Sequence, residues 1–322
     1  MAYPRTAAAP AIPLDDLALS DDDEGIGRPI DPENIRRLLE LAVMLDSTSV
    51  HLKVPGRPQL RIGNELVPVG LERLKPGDVD RAARCLRTMA GVDQGKAIFS
   101  MGLEGLGRFR AHAYRQRGSR GLVLHRVLTV VPPLSLLGAV PAFAEFGGSG
   151  LVLVSGDARV ELMAALIDAR NWADSGHIVT VERQMRYLHS DQLVSISQLE
   201  VGVDVRGVAE GLETAARLDP DWIVLSEASD AESARAALSL AEERDSVVVM
   251  GVKATSVEAS VDTIAALFGD KEQREIKRRL AAALIAAVHL DGGETPRRLE
   301  RATLVRLANA CPMTVGDPTD VS

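Results

Sequence analysis

Aromatic side chains are almost missing from this chain: 3% of its 322 residues are Phe, Trp or Tyr. Platforms for stacking nucleic-acid bases are therefore scarce. The formal net charge of −8 also argues, weakly, against nucleic acid as the main partner. No nucleic-acid partner is expected. Cysteine is nearly as rare, and Cys85 and Cys311 give neither a disulfide framework nor zinc-ligand spacing. No apolar run approaches the roughly 20 residues of a membrane span. The start, MAYPRTAAAP, lacks the basic region and long apolar core of a secretion signal. A cytoplasmic protein in a reducing compartment, with no transmembrane segment, is the expectation.

What is present is enough for two cores: 322 residues, 46% of them apolar. Residues 1–30 are rich in Pro, Ala and Asp. They hold Asp15, Asp16, Asp21, Asp22, Asp23 and Glu24 against Arg5 and Arg28. With little to bury, they read as a disordered acidic arm, either a solvated leader or a partner-binding tail. A small α+β domain is expected over 31–132. Ile35, Leu38, Leu39, Ala42 and Leu45 recur at helical spacing, and a second helix after Asp78 would bury Val79, Ala82, Leu86 and Met89, with Cys85 near the core. Strand patterns fall at 50–54, 59–69, 98–100, 109–114 and 121–130. Proline and glycine mark a linker over 133–149.

The second domain, expected over 150–290, is organised around GLVLVSGDARVELMAALIDARN, Gly150 to Asn171. A strand, Leu151–Val154, runs into a glycine turn and then a helix. That is the layout of a phosphate-binding loop. The turn itself reads Gly156, Asp157, Ala158, Arg159, Val160, Glu161. One glycine and no lysine remain, and two carboxylates stand where phosphate charge would sit. Like charges there disfavour binding. An inherited but abandoned site and an ordinary strand-turn-helix both fit this stretch. Further apolar runs at 178–181, 193–196, 222–225 and 247–250 alternate with helical patterns, which predicts a mostly parallel sheet covered on both faces. A last long helix is expected from Lys271 to Val288, burying Ile276, Leu280, Leu284 and Val288. Residues 299–310 suit one more short helix, and 291–322 form a short divergent tail.

Two features carry chemistry. Arg108, Arg110, Arg115, Arg117, Arg120 and Arg126 fall within nineteen residues that hold no acidic side chain. They read as an anion-binding or partner-binding face, or as plain solvated surface. Glu182 and Glu227 each close an apolar strand, where a carboxylate faces a ligand crevice. They are candidates for holding magnesium or orienting water, or are surface residues at strand ends.

In order along the chain, STSVHL at 47–52, RFRAHAYRQRG at 108–118, GLVLVSG at 150–156, HIVTVE at 177–182, QLEVG at 198–202 and DPDWIVLSE at 219–227 resemble segments of the type IV pilus and type II secretion motor ATPases, in particular the PilT-like retraction ATPases. The resemblance spans about residues 32–288. It implies an α/β chain with a RecA-like P-loop NTPase core behind a smaller N-terminal PAS-like α+β domain, assembled as a hexamer. By match, Arg110, Arg115 and Arg117 would approach bound phosphate at a domain or subunit boundary, and Glu182 and Glu227 correspond to the acidic carboxylates. The departures imply loss of chemistry. The family's phosphate loop GPTGSGKST is GDARVE here, a degenerate Walker A motif. Arg183 stands in place of an aspartate, Ser229 in place of an arginine, and the segment around Met250 to Lys253 lacks the family's histidine. Glu182, Glu227, Gly156, Asp157 and Arg159 are then vestigial. The expectation is a catalytically inactive pseudo-ATPase without cofactor or metal, acting through a homo-oligomer or through a complex with a motor ATPase or base protein. A divergent ATPase or nucleotide-binding subunit is the alternative.

Overall fold

The computed structural model describes residues 32–291, apart from 70–71, 140–143, 147, 174 and 244, together with 297–300. The chain divides into two compact units, Met1–Thr129 and Val130–Ser322. The acidic stretch 1–31 and residues 301–322 lie outside the described residues.

In the first unit, α1 (Pro32–Met44) precedes three short strands, β1 (Ser49–Leu52), β2 (Gln59–Ile62) and β3 (Glu65–Pro68). Then come α2 (Pro76–Met89), β4 (Ile98–Leu103), β5 (Gly107–Gln116) and β6 (Ser119–Val127). The strands form one antiparallel sheet in the order β3-β2-β1-β6-β5-β4. Alternation along each strand sends Val50, Leu60, Phe99, Phe109, Leu122 and Leu124 to one side. There they bury against Ile35 and Leu39 of α1 and Val79, Ala82 and Leu86 of α2. Removing each large side chain of that kind from water stabilises by about 1.5–3 kcal/mol. Met89, expected inside, is exposed at the end of α2, and Cys85 is only half-buried at the core's margin.

The second unit opens with β7 (Gly150–Ser155) and α3 (Arg159–Ala173), followed by β8 (Gly176–Glu182), β9 (Val194–Glu200), α4 (Val208–Ala216), β10 (Trp222–Leu225), α5 (Ala231–Glu243), β11 (Val247–Gly251), α6 (Val257–Ala265), α7 (Asp270–Ala283), β12 (Leu284–His289) and β13 (Arg297–Glu300). The sheet order is β13-β12-β7-β11-β10-β8-β9. Every neighbouring pair is parallel except β12 with β13. Leu151–Val154, expected as a buried strand, is fully enclosed. One face of the sheet packs on α3 through Val152, Val154, Leu162 and Leu166. The other packs on α4 to α7 through Leu153, Leu212, Leu238 and Leu280. The stretch assigned above to a linker contributes Leu134, Ala139 and Ala144 to the α3 side.

One expectation fails clearly. The helix assigned to Lys271–Val288 ends at Ala283, and Leu284–His289 is a strand lying between β7 and β13. Ile276, Leu280, Leu284 and Val288 do recur every four residues. In an Ala-rich run, however, that spacing also suits a fully buried strand, and the vacancy beside β7 decides the outcome. Leu299 and Glu300, which open the short helix expected over 299–310, belong instead to the strand Arg297–Glu300; the rest of that expected helix lies outside the described residues.

Candidate functional site

The C-terminal ends of β7, β8, β10 and β11 converge on one cavity of about 510 Å³, which follows the first turns of α3. Its lining includes Asp157 and Arg159 from the turn, Glu182 from β8, Glu227 after β10 and Lys253 after β11. Crevices at this edge of a parallel sheet are where such folds hold ligands. The two glutamates singled out from strand ends thus share one chamber with the turn.

The turn is closed by the chain itself. Gly156 sits at φ +102°, and a Cβ there would lie 2.0 Å from the Leu290 carbonyl oxygen. Only glycine permits that approach. Leu290 N–H donates to the Ser155 carbonyl at 3.1 Å, and Ala158 N–H donates to the Leu290 carbonyl at 3.2 Å. Asp157 N–H donates to Asp291 Oδ1 at 3.1 Å. Behind them, Ser155 Oγ lies 2.9 Å from His289 Nδ1, and His289 Nε2 lies 3.1 Å from Asp291 Oδ2. The Asp157 amide and the His289 ring hold the Asp291 carboxyl below its usual range. The amides of residues 157 and 158, which a phosphate-binding turn would offer to a ligand, are committed to residues 290 and 291.

Charged groups inside the cavity also pair with one another. Arg159 donates to Glu227, and Lys253 Nζ lies 2.9 Å from the other oxygen of the same carboxylate. The Arg159 and Glu227 side chains retain only 13% and 17% exposure, so solvent screens this pair weakly. Arg183, which stands where the resembled family has an aspartate, pairs with Asp230 at 2.7 Å. The opposite wall is the segment after β8. It is fixed by Asn171, whose amide holds Ser190 and Gln192, and by Gln198, which bonds Tyr187, His189 and Glu182. Glu182 accepts from Thr180 at 2.7 Å and from Gln198 at 3.0 Å. Although the residue keeps some surface, its carboxyl is enclosed by protein. Burial raises its pKa to about 7, with nearby Glu200 adding to the rise against the two hydrogen bonds. Burial lowers that of His189 to about 4. Its Nδ1, like Gln184 Nε2, is enclosed without a hydrogen-bond partner among the described residues. No cluster of three or more His, Cys, Asp or Glu suited to a metal ion occurs among the described residues.

The arginines expected on one face of the first unit divide instead. Arg120 and Arg126 lie on the helix side, where they pair with Asp80 at 2.7 Å and Asp46 at 2.8 Å. Arg108 and Arg110 point to the opposite side of the sheet, in alternation with buried Phe109 and Ala111. Arg115 and Arg117 are exposed around the β5–β6 turn. Sequence reasoning missed Asp291, Lys253 and the Gln198–Thr180 support of Glu182. The first two act across 134 and 26 residues of chain, and no local pattern announces them.

A mostly parallel sheet flanked on both faces, with a strand-turn-helix at its centre, has the layout of a RecA-like core. No protein-family model matches the chain. It is 26% identical over 269 residues to the type IV pilus retraction ATPase PilT of Pseudomonas aeruginosa, covering 79% of this chain and 76% of that protein. The crystal structure of the pilus retraction motor PilT with bound ADP superimposes with a TM-score of 0.70 at 25% identity, over 84% of this chain and 86% of that one. The Legionella pneumophila ATPase DotB, at 17% identity, shares the fold with a TM-score of 0.71 and 87% coverage of both chains. In sequence and in fold the chain is similar to the PilT-like secretion-motor ATPases. Among the described residues no helix is long and apolar enough to cross a membrane.

Proposed function

We propose that this chain is a non-hydrolysing subunit of a pilus-type or secretion-type motor assembly, a pseudo-ATPase. It would work through contacts with copies of itself or with an active motor ATPase or base protein, in the cytoplasm or at the inner membrane's edge. Its first unit would play the part of a PAS-like domain, and the turn at Gly156–Arg159 that of a degenerate Walker A loop. The observation that carries this reading is the ion-pair cluster of Arg159 and Lys253 on Glu227. Phosphoryl transfer rests on positioned positive charge and a metal around the migrating group. Here both cations lean on the very carboxylate that would serve the metal, and the turn's amides are taken by residues 290 and 291. The residues present do not fit a magnesium-bound triphosphate.

The comparisons favour a second reading, a divergent ATPase or nucleotide-binding subunit, because the matched relatives are named as ATPases and one carries ADP. It requires the Arg159–Glu227 pair to open. Phosphate release by the purified chain, beside calorimetry with ATP, ADP and magnesium, separates the two. The first reading expects no turnover and no saturable heat. Turnover lost in Glu227→Gln would overturn it, and binding without turnover would leave a nucleotide-holding subunit.

A further inference from the structure

At the amino-terminal end of the second unit's sheet, three large apolar side chains stay in water. Trp172 is 53% exposed, Leu193 60% and Leu218 41%. Each sits where an element ends or begins: Trp172 in the last turn of α3, Leu193 just before β9 and Leu218 just after α4. The fold brings the three positions together. Leu193 N–H donates to the Asn171 carbonyl at 3.0 Å, next to Trp172. Two residues on, Ser195 lies opposite His177 of β8. The His177 ring then reaches Leu218, its Nδ1 lying 3.0 Å from that carbonyl. Two residues of strand and one strand spacing, roughly 12 Å, thus lead from Leu193 to His177. Single apolar side chains on a surface need no explanation, whereas a group of them at one edge marks a contact site.

Charge around them is one-sided. Asp191, Asp219 and Asp245 stand exposed in the loops at this end. Two arginines nearby are engaged: Arg217 pairs with Glu213, and Arg170 lies over the Trp222 ring at 5.8 Å. The backbone offers little to an added strand. β9 is the edge of the sheet, but its Ile196 and Glu200 amides already donate to Asp191 at 3.1 Å and Asp204 at 2.9 Å. Recognition here falls to side chains, an apolar centre with an acidic rim.

We propose that this end of the sheet is a docking surface for a positively charged amphipathic helix of another protein. The apolar face of such a helix covers Trp172, Leu193 and Leu218, and its lysines and arginines meet Asp191, Asp219 and Asp245. Three turns of helix, rising about 16 Å, match the spread of the three apolar positions. Trp172 is the anchor, because a large rigid side chain desolvated at the middle of a contact carries much of its energy. The same acidic rim repels an anionic lipid surface. A second copy set against this face brings like charges together, in a chain of net charge −8. The surface lies at the opposite end of the strands from the cavity, so it stands or falls independently of what the cavity holds.

The test uses the full chain, without nucleotide, and a fluorescein-labelled lysine–leucine helix, LKKLLKLLKKLLKL, followed by anisotropy. The expected result is saturable binding, with the glutamate counterpart LEELLELLEELLEL held at least about tenfold more weakly. Leu193→Asn with Leu218→Asn weakens the lysine helix by about tenfold. Both residues are exposed, and circular dichroism confirms the fold. Asp191→Asn with Asp245→Asn weakens it by about threefold. In Trp222→Phe, Trp172 is the only tryptophan left, and its emission moves to the blue as the helix binds. Each of these outcomes overturns the proposal: no saturable binding, equal affinity for the glutamate helix, affinity unchanged by the leucine substitutions, binding of phosphatidylglycerol vesicles through the same leucines, or a Trp172 emission that shifts with the concentration of the chain alone.

Discussion

Two regions, one in each unit, place arginine in different company. Around the β7 turn, Arg159 is spent on Glu227 and Arg183 on Asp230, each matched from another element. On the far side of the first unit's sheet, Arg61, Arg108 and Arg110 stand among histidines with no carboxylate on the same strands. Both regions lie in a chain of net charge −8, so composition does not distinguish them; pairing geometry does. Cations paired with a carboxylate exert less pull on an anion than like charges that share one side of a sheet, whose fields add.

The sharpest way to break this contrast is to pry the closed site apart. Gly156→Ala drives a methyl group into the Leu290 carbonyl at a backbone angle that L-residues rarely adopt. It is expected to cost about 4 kcal/mol in a denaturant titration. A loss under ~1 kcal/mol would mean that the turn is not stapled to residue 290. Next, Glu227→Ala strands Arg159 in a pocket it barely leaves, and about 3 kcal/mol should be lost. Arg159→Met combined with Glu227→Leu should recover most of that. If the single and double changes cost the same, the pair is not the unit described here.

Acid–base behaviour sharpens the contrast further. Glu182 favours its neutral form in the fold. Its contribution is complete below the unfolded value of 4.5 and is lost as pH rises through about 7. His189 runs the other way: complete above 6.5, lost as pH falls through about 4. Between 4.5 and 6.5 the two slopes oppose each other. Glu182→Gln should expose stability that rises with pH, and His189→Asn stability that falls, each by roughly 2–3 kcal/mol over its window. Melting curves at pH 4.5, 5.5, 6.5 and 7.5 check both. Smallest of all, Arg126→Ala breaks a pair with largely exposed Asp46 and should shift stability by less than about 1 kcal/mol. A larger shift would show that the first unit's helix-side charges are as tightly bound into structure as those of the second.

Much of this was legible beforehand where the signal is local. Leu151–Val154, Trp222–Leu225 and Val247–Met250 are dense apolar runs of strand length, and each is a buried strand. Glu182 and Glu227 end such runs, so their meeting at one sheet edge follows once the strands are parallel. The helix-to-strand change at Leu284 was not legible, because LIAAVH satisfies both periodicities and only its neighbours choose. The splitting of the arginine cluster was half-visible: Arg120 and Arg126 share parity with Leu122 and Leu124, which alone assigns them to the helix side. The cap on the turn was invisible, since Asp157 and Asp291 are strangers in sequence.

That junction at Leu284 has a mechanical side. Ala283 is the last residue of α7 and Leu284 the first of β12, with no loop between them. At its outer surface α7 is tied to α5 by Arg279–Glu242 and Arg235–Glu272. At its inner end β12 runs straight to His289, Leu290 and Asp291, the residues that hold the β7 turn shut. Helix and strand are therefore joined directly, with one register irregularity between Leu284 and Ala286. A displacement of α7 would have a short path, six residues of strand, to the turn where the Asp157 amide and the Asp291 carboxylate are clasped.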